Sequence, residues 1–336
     1  MKRIRISDIA KAAGVSNATV SYALSDTGRI ARETRDRIHK IADEMGFIRD
    51  GTAAQLRTGR SSLIGVVLNT IVNPFFSELV ASLETAAYDA GYLTLLATAQ
   101  NDPVRQGELL SSMIAQGVAG VVVSPVHVTG AELLSATVRR AIPTVVCVRD
   151  VPGSGAVFVG ADEERSGYLA ARHLIACGHR SFQFIGGYPS TTTWQGRRNG
   201  MRRALAEAGL PETAGLMTPG TLLPDFAHAE IMAAHAERRL HSAVICFNDD
   251  QAMGVYRAAR SLGIAVGEQL SVMGFDNIPQ SDALTPGLTS IDIHPGRIGA
   301  ISAQLIVGML KDRTIEAAPV VLEPRVVQRQ SVARLG

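Results

Sequence analysis

The stretch GVSNATVSYAL, from Gly14 to Leu24, decides how the first sixty residues fold. Gly14 supplies the left-handed conformation of a tight helix exit, and Ser16 is of the type that caps a new helix. In that helix Val20, Ala23 and Leu24 turn inward, while Asn17, Ala18, Ser21 and Tyr22 lie on the outer side. The preceding segment reads alike: Ser7 is placed to cap a helix whose Ile9, Ala10 and Ala13 face the interior. Two helices joined by three or four residues around a glycine form a helix-turn-helix. A third helix is expected from about Arg32 to Met45, with Ile38, Ile41, Ala42 and Met45 as its buried stripe.

The short polar residues have a physical use. A helix that presses its first turn into a major groove about 12 Å wide excludes bulk near the groove floor and favours small hydrogen-bonding groups. Asn17 could read an adenine edge, Ala18 a thymine methyl, and Tyr22 a base or a phosphate. Thr19 and Ser21 are better placed for phosphates, and the capping residues Ser7 and Ser16 complete the candidate DNA-binding set. A solvent-facing helix of an unrelated three-helix bundle would show the same pattern. Charge favours a polyanion: residues 1–60 carry 12 Lys and Arg against 7 Asp and Glu, and the rest carry 21 against 24. Asn17-Ala18-Thr19 is also a glycosylation sequon, but the start MKRIRISDIAKAAG has no apolar export region and no apolar run approaches the ~20 residues of a membrane span. A cytoplasmic, nucleoid-associated protein that does not enter membranes is expected.

From Ser62 onward, β-branched runs alternate with helix-length segments: LIGVVL, YLTLLAT and VAGVVVS, then FQFIGG, SAVICFN and LSVMGFD. Such alternation predicts parallel sheets flanked by helices, in two successive units. Ligands bind beyond the carboxyl ends of such strands, and a cleft between two lobes is the natural site. The residues that follow the strands are therefore the candidates: Phe75, Phe76, Asn101 and Ser124 in the first lobe, and Trp194, Arg197, Asn248 and Asp276 in the second. Arg197, Asn248 and Asp276 offer a forked donor, an amide and a carboxylate, a set that suits sugar hydroxyls. Phe76 can equally plug a helix start, and Asp249 is better suited to capping the helix DQAMGVYRAARS.

At this level the sequence resembles a known family. The segment RISDIAKAAGVSNATVSYALSDTGRIARETRDRIHKIADEMGFIRDGTAAQLRTGRSSLIGVV is similar to the head and hinge of the LacI/GalR family of bacterial transcription regulators, and the likeness continues through R-x-x-G at Arg197 to Gly200, N-D at Asn248 and Asp249, and G-F-D at Gly274 to Asp276. The resemblance implies a helix-turn-helix head on a two-lobed, periplasmic-binding-protein-like body, acting as a homodimer on near-palindromic double-stranded operator DNA under control of a small effector. The implied domains are 1–49, a hinge at 50–60, and 61–336. Tyr22 stands where an arginine is usual, Ala31 where a capping serine or threonine is usual, and Val148 with Arg149 where relatives often have an aspartate. A less usual operator and a less usual ligand are implied.

GTAAQLRTGR is too short to hold a helix alone. Leu56, followed by Arg57, has no evident core to join, so a pair of leucines from two protomers could wedge into the minor groove; a plain linker is the other reading. No tail of heptads argues for a tetramer.

Enzymatic chemistry would need a nucleophile with its base, a carboxylate pair or a complete cofactor motif, and no such set stands out. Gly186-Gly187 lacks the spacing of a dinucleotide cradle, and Cys177-Gly178-His179 cannot build a metal site alone. Neither a cofactor nor a metal is expected. Cys147, Cys177 and Cys246 read as buried free thiols. The expectation is a ligand-responsive repressor whose effector is a sugar or sugar derivative. The alternative is a solute-binding protein with the same cleft and no DNA role.

Overall fold

Ser16 does cap a helix, its hydroxyl accepting the Thr19 amide at 3.1 Å, and Gly14 ends the preceding one at φ +65°. A computed structural model describes residues 4–25, 28–47, 61–314 and 317–335, with residues 1–60 and 61–336 forming separate compact units. The first unit contains α1 (Ile6–Ala13), α2 (Asn17–Leu24) and α3 (Arg32–Glu44) around a small core of Ile9, Ala10, Ala13, Val20, Ala23, Ile38 and Ala42. Ile41 and Met45 pack against that core half-buried. One detail of the sequence reading changes. Helix α1 begins at Ile6, so Ser7 lies inside its first turn and is not the cap; the Asp8 carboxylate instead accepts the Arg5 amide at 2.8 Å.

Ala31, just before α3, gives the helix no side-chain cap, although its backbone at φ −55° and ψ 138° is already non-helical as at a capping position. Ala31→Ser is expected to stabilise this helix by about 1 kcal/mol. Amide exchange along α3 in the full-length chain should slow by about fivefold; an unchanged rate would contradict the uncapped end.

The second unit holds two six-stranded sheets. The first runs β2 (Leu93–Thr98), β1 (Leu63–Leu68), β3 (Gly120–Val123), β4 (Thr144–Cys147), β5 (Val157–Ala161) and β11 (Val320–Leu322), all parallel. The second runs β7 (Gly215–Thr218), β6 (Phe182–Ile185), β8 (Ala243–Cys246), β9 (Ser271–Phe275), β10 (Thr289–Asp292) and β12 (Arg325–Val327), the last antiparallel. Central strands such as GVVV and AVIC are buried throughout because helices cover both faces, which is why they read as continuous apolar runs.

Helices α4 (Pro74–Asp89) and α12 (Pro295–Lys311) cover one face of the first sheet, with α5 (Pro103–Ala115) and α6 (Ala131–Arg139) on the other. In the second lobe α7 (Glu163–Ala176) and α8 (Thr192–Glu207) lie opposite α9 (Pro224–Ala236) and α10 (Asp249–Leu262), and the short α11 (Gln280–Ala283) follows β9. The two units expected in succession are in fact interleaved. The chain passes to the second lobe after β5, returns after β10 so that α12 packs on α4 and β11 pairs with β5, and crosses again into β12.

Helices α7 and α8 approach so closely that only glycine fits between them. A Cβ on Gly167 would strike the Arg197 carbonyl, and one on Gly200 would strike the Glu164 carbonyl and the Tyr168 nitrogen. This contact places Glu163 and Arg197 opposite each other.

Candidate functional site

Two surfaces carry the candidate residues. On the first unit, α2 leaves Asn17, Ala18 and Tyr22 exposed, Tyr22 to 52%. Ser16 is exposed and Thr19 half-buried, and their hydroxyls are hydrogen-bonded to each other at 2.9 Å. Ser21 is half-buried and Ser7 exposed. Leu56 and Arg57 lie outside the described residues.

The second surface is a cleft of about 590 Å³ between the lobes. From the first lobe it is lined by Asn69, Asn73, Phe75, Phe76, Asn101, Val148 and Arg149; from the second by Thr193, Arg197, Leu222, Phe247, Asn248, Asp250 and Asp276. Most of these sit just beyond a strand end, where a parallel sheet leaves backbone groups and helix starts facing the crevice. Asn73 caps α4 by accepting the Phe75 amide at 2.8 Å, and so sets Phe75 and Phe76 edge to face with ring centres 5.1 Å apart. Asn69 accepts the Asn101 amide at 2.6 Å. Asn248, which lines the cleft, caps α10 by accepting the Gln251 amide at 2.9 Å through its Oδ1, so its NH₂ group is not used by the cap.

Arg197 is the most constrained of these groups. It is 2% exposed, its guanidinium donates to Glu163 through Nε at 2.7 Å and Nη2 at 3.3 Å, and Nη1 donates to the Phe247 carbonyl. The plane lies over the Phe275 ring at 3.9 Å and the Phe247 ring at 4.6 Å. Its charge is therefore matched inside the protein. Burial pushes the Asp276 carboxyl well above its ordinary range, with the neighbouring Asp249 adding to the shift and Arg197 opposing it. Asp249 itself does not cap α10, as the sequence suggested. It is buried, accepts from the Ile278 amide and the Ser281 and Ser290 hydroxyls at 3.0, 2.6 and 2.7 Å, and is pushed up to about 7 by burial. Asn248 takes the capping role.

The cleft brings together six of the eight candidates: Phe75, Phe76, Asn101, Arg197, Asn248 and Asp276. Ser124 does not reach it, being fully buried one residue beyond β3. Trp194 does not reach it either. Its indole is packed into the core beside Phe184, with ring centres 6.4 Å apart, and Thr193 lines the cleft in its place. Asn69, Asp250, Phe247 and Thr193 were not singled out from the sequence; Asn69 and Phe247 each directly follow a strand, the signal that could have found them. The double glycine is no cradle, since Cβ positions at Gly186 and Gly187 coincide with Gln251, Phe247 and Trp194.

Backbone strain also concentrates here. Gln100, Asn101, Val148 and Asp276 line the cleft with φ of 53°, 62°, 69° and 102°. For a β-branched residue such as Val148 this is a true outlier, and strain of ~1–3 kcal/mol persists only where surrounding structure fixes it, characteristically at ligand sites. Beside the cleft the lobes are latched together. The Thr192 hydroxyl accepts the Asp150 amide at 3.1 Å, Ser190 donates to the His127 carbonyl at 2.9 Å, and the His127 ring stacks on Tyr188 at 4.1 Å.

All three cysteines are buried free thiols. Cys177-Gly178-His179 is a turn, with His179 hydrogen-bonded to Ser242 and Ser271 at 2.9 Å each. Among the described residues no cluster of His, Cys, Asp and Glu could hold a metal, and no helix is long and apolar enough to cross a membrane.

A helix-turn-helix unit joined to a two-lobed, parallel-sheet body with an interlobe cleft defines a class of transcription regulators that couple a DNA-binding head to a ligand-binding domain. Residues 5–50 match the family model of bacterial regulatory proteins of the lacI family, and residues 171–332 match a periplasmic binding protein-like domain. The HTH-type transcriptional regulator DegA of Bacillus subtilis is 32% identical, with 98% of this chain and 98% of that protein covered. The HTH-type transcriptional repressor PurR of Erwinia tasmaniensis is 30% identical, with 98% of this chain and 96% of that protein covered. A solved lacI family regulator from Enterococcus faecium with bound ribose is 26% identical and superposes with a TM-score of 0.75, over 82% of this chain and all of that one. The chain belongs to the lacI family of bacterial regulatory proteins.

Proposed function

We propose that the protein is a repressor of a catabolic or transport operon, with residues 1–49 reading the operator, 50–60 serving as hinge and 61–336 binding effector and dimerising. The observation that carries this is the cleft: strained, offering the Phe75 and Phe76 rings, and furnished with Asn101, Asn248 and Asp276 in positions that suit vicinal hydroxyls. The ribose in the E. faecium relative supports a sugar or sugar derivative as effector, and the printed name of PurR supports repression. Asn17, Ala18 and Tyr22 are the proposed base contacts, Ser7, Ser16, Thr19, Ser21 and Arg57 the phosphate contacts, and Leu56 the minor-groove wedge. A homodimer follows because one head spans only a half-site and the wedge needs a twin.

Ligand acts by its differential affinity for two lobe arrangements, typically about 1–3 kcal/mol of coupling, or 5–150-fold in operator affinity. Selection of duplex DNA from a random pool by the full-length protein is expected to enrich a near-palindrome whose affinity falls steeply with salt. A sugar or derivative that raises the melting point should shift that affinity, and Asp276→Asn should lose the shift while still melting cooperatively. Absence of any sequence preference, at every salt and ligand concentration, would sink the reading.

A further inference from the structure

Arg149 is the one charged group lining the cleft that the expected chemistry of a neutral sugar leaves unexplained. It follows the strained Val148, is 6% exposed, and lies between the main cleft and a smaller pocket of about 160 Å³ lined by His127, Asp150 and Ser190. The hydrogen bond that holds its side chain runs from Nη1 to the Pro125 carbonyl at 3.0 Å. Among the described residues no carboxylate comes within 4.0 Å of its guanidinium: Glu163 is held by Arg197 in a two-point pair and acts on Arg149 only through space. A buried cation without a contacting counter-ion is costly, and even its proton is held less firmly: burial brings Arg149 down to about 10. The carboxyls elsewhere in the cleft do not cancel it. Neither contacts its guanidinium; burial and Asp249 make the Asp276 carboxyl harder to ionise, and Asp250 is half-exposed to solvent.

We propose that Arg149 binds an oxyanion on the effector, so that the ligand is a sugar-sized polyhydroxylated acid or phosphate rather than a neutral sugar. The planar fork of a guanidinium matches two oxygens of a carboxylate or phosphate, and its remaining N–H groups are unspent by the Pro125 contact. The hydroxyl end of such a ligand meets Asn248 and Asp276, and its apolar ring face meets Phe75 and Phe76. The anion supplies the charge that the fold withholds from Arg149. This rests on the cleft being the effector site, as proposed above.

The test uses the full-length protein, thermal shift and calorimetry, and three matched sets of probes: neutral aldoses (glucose, galactose, ribose, arabinose), the corresponding aldonates and uronates, and their phosphates. The expected result is that an anionic member binds and its neutral counterpart binds at least tenfold more weakly; whether the carboxylate or the phosphate set responds tells which oxyanion is used. Arg149→Met should weaken the anion by about 30-fold or more, and should raise the melting point of the unliganded protein because an uncompensated buried charge is gone. Arg149→Lys keeps the charge without the fork, and should bind between the two; it also serves if the methionine variant does not fold. Equal binding of a neutral sugar and its acid, or equal anion affinity in wild type and both variants, overturns the assignment to Arg149 and leaves the cleft as effector site. A protein that binds no member of any set overturns both.

Discussion

Gly200→Val should cost the body about 3 kcal/mol or more, because both partners of the new side chain are backbone and cannot rotate aside. A drop in melting temperature of about 6–12 °C follows for a unit of this size. The same substitution removes the register that sets Glu163 against Arg197, since Gly196 and Gly200 are the positions where α8 lies on α7; a Cβ on Gly196 would already sit 2.8 Å from that of Glu163. Gly308→Ala is the control. It lies inside α12 with nothing within 4 Å of the added carbon, and is expected to stabilise by roughly 0.5–1 kcal/mol. Thermal melts of the two variants should move in opposite directions. A Gly200→Val protein that melts like wild type would mean the helices are further apart than described.

Arg197→Ala is expected to be damaging for a different reason. It strands Glu163, which is held in a nearly dry site, and removal of one member of such a pair costs about 3–5 kcal/mol. Burial already raises the Glu163 carboxyl above its ordinary value, with Arg197 opposing the shift. Without the arginine the folded-state value rises further while the unfolded one stays near 4.3. Between those two values the folded state binds the proton that the unfolded state has released, so stability is greater at low pH and is lost as pH rises through the folded value. Relative to wild type, the variant should therefore regain stability on going from pH 8 to pH 5. Glu163→Met combined with Arg197→Met should recover most of the loss at pH 8, because the pair leaves together. Urea unfolding at the two pH values reads both effects, and a pH-independent deficit in the single variant would contradict the buried pair. An alanine substitution at Arg197 is thus an ambiguous probe of ligand binding, and Asp276→Asn is the cleaner one.

Much of the architecture was legible because two periods dominate the chain. Val20 and Ala23, or Leu79 and Leu83, repeat at helical spacing, and runs such as LIGVVL and SAVICF have the composition of strands covered on both faces. The interleaving of the lobes was not legible. It depends on β11 and β12, three residues each, whose partners Val159 and Ile291 lie 161 and 35 positions away from Val320 and Val326 in the chain, and no local pattern encodes such pairings. In the cleft, strand ends pointed to Asn101, Asn248 and Asp276, since position along the chain fixes which residues leave a parallel sheet at its carboxyl edge. Trp194 lies outside the cleft because its helix rotates the indole toward β6, and Arg149 stands out in the sequence only as a departure from the usual residue because burial without a contacting carboxylate is a property of three-dimensional surroundings. Ser7 misled because an acidic residue in the first turn, Asp8, satisfies the helix start from within.

The return of α12 to the first lobe has a consequence for synthesis. Leu79 and Leu83 on α4 are sealed by Ile298, Ile306 and the Gly299 backbone, which abuts the Leu79 carbonyl. A nascent polypeptide emerging amino end first must carry that apolar ridge uncovered, while more than two hundred further residues are translated, before its cover leaves the ribosome. The first lobe thus waits for its cover until most of the second has emerged, and the interval in which a chaperone could hold it spans most of the time of elongation.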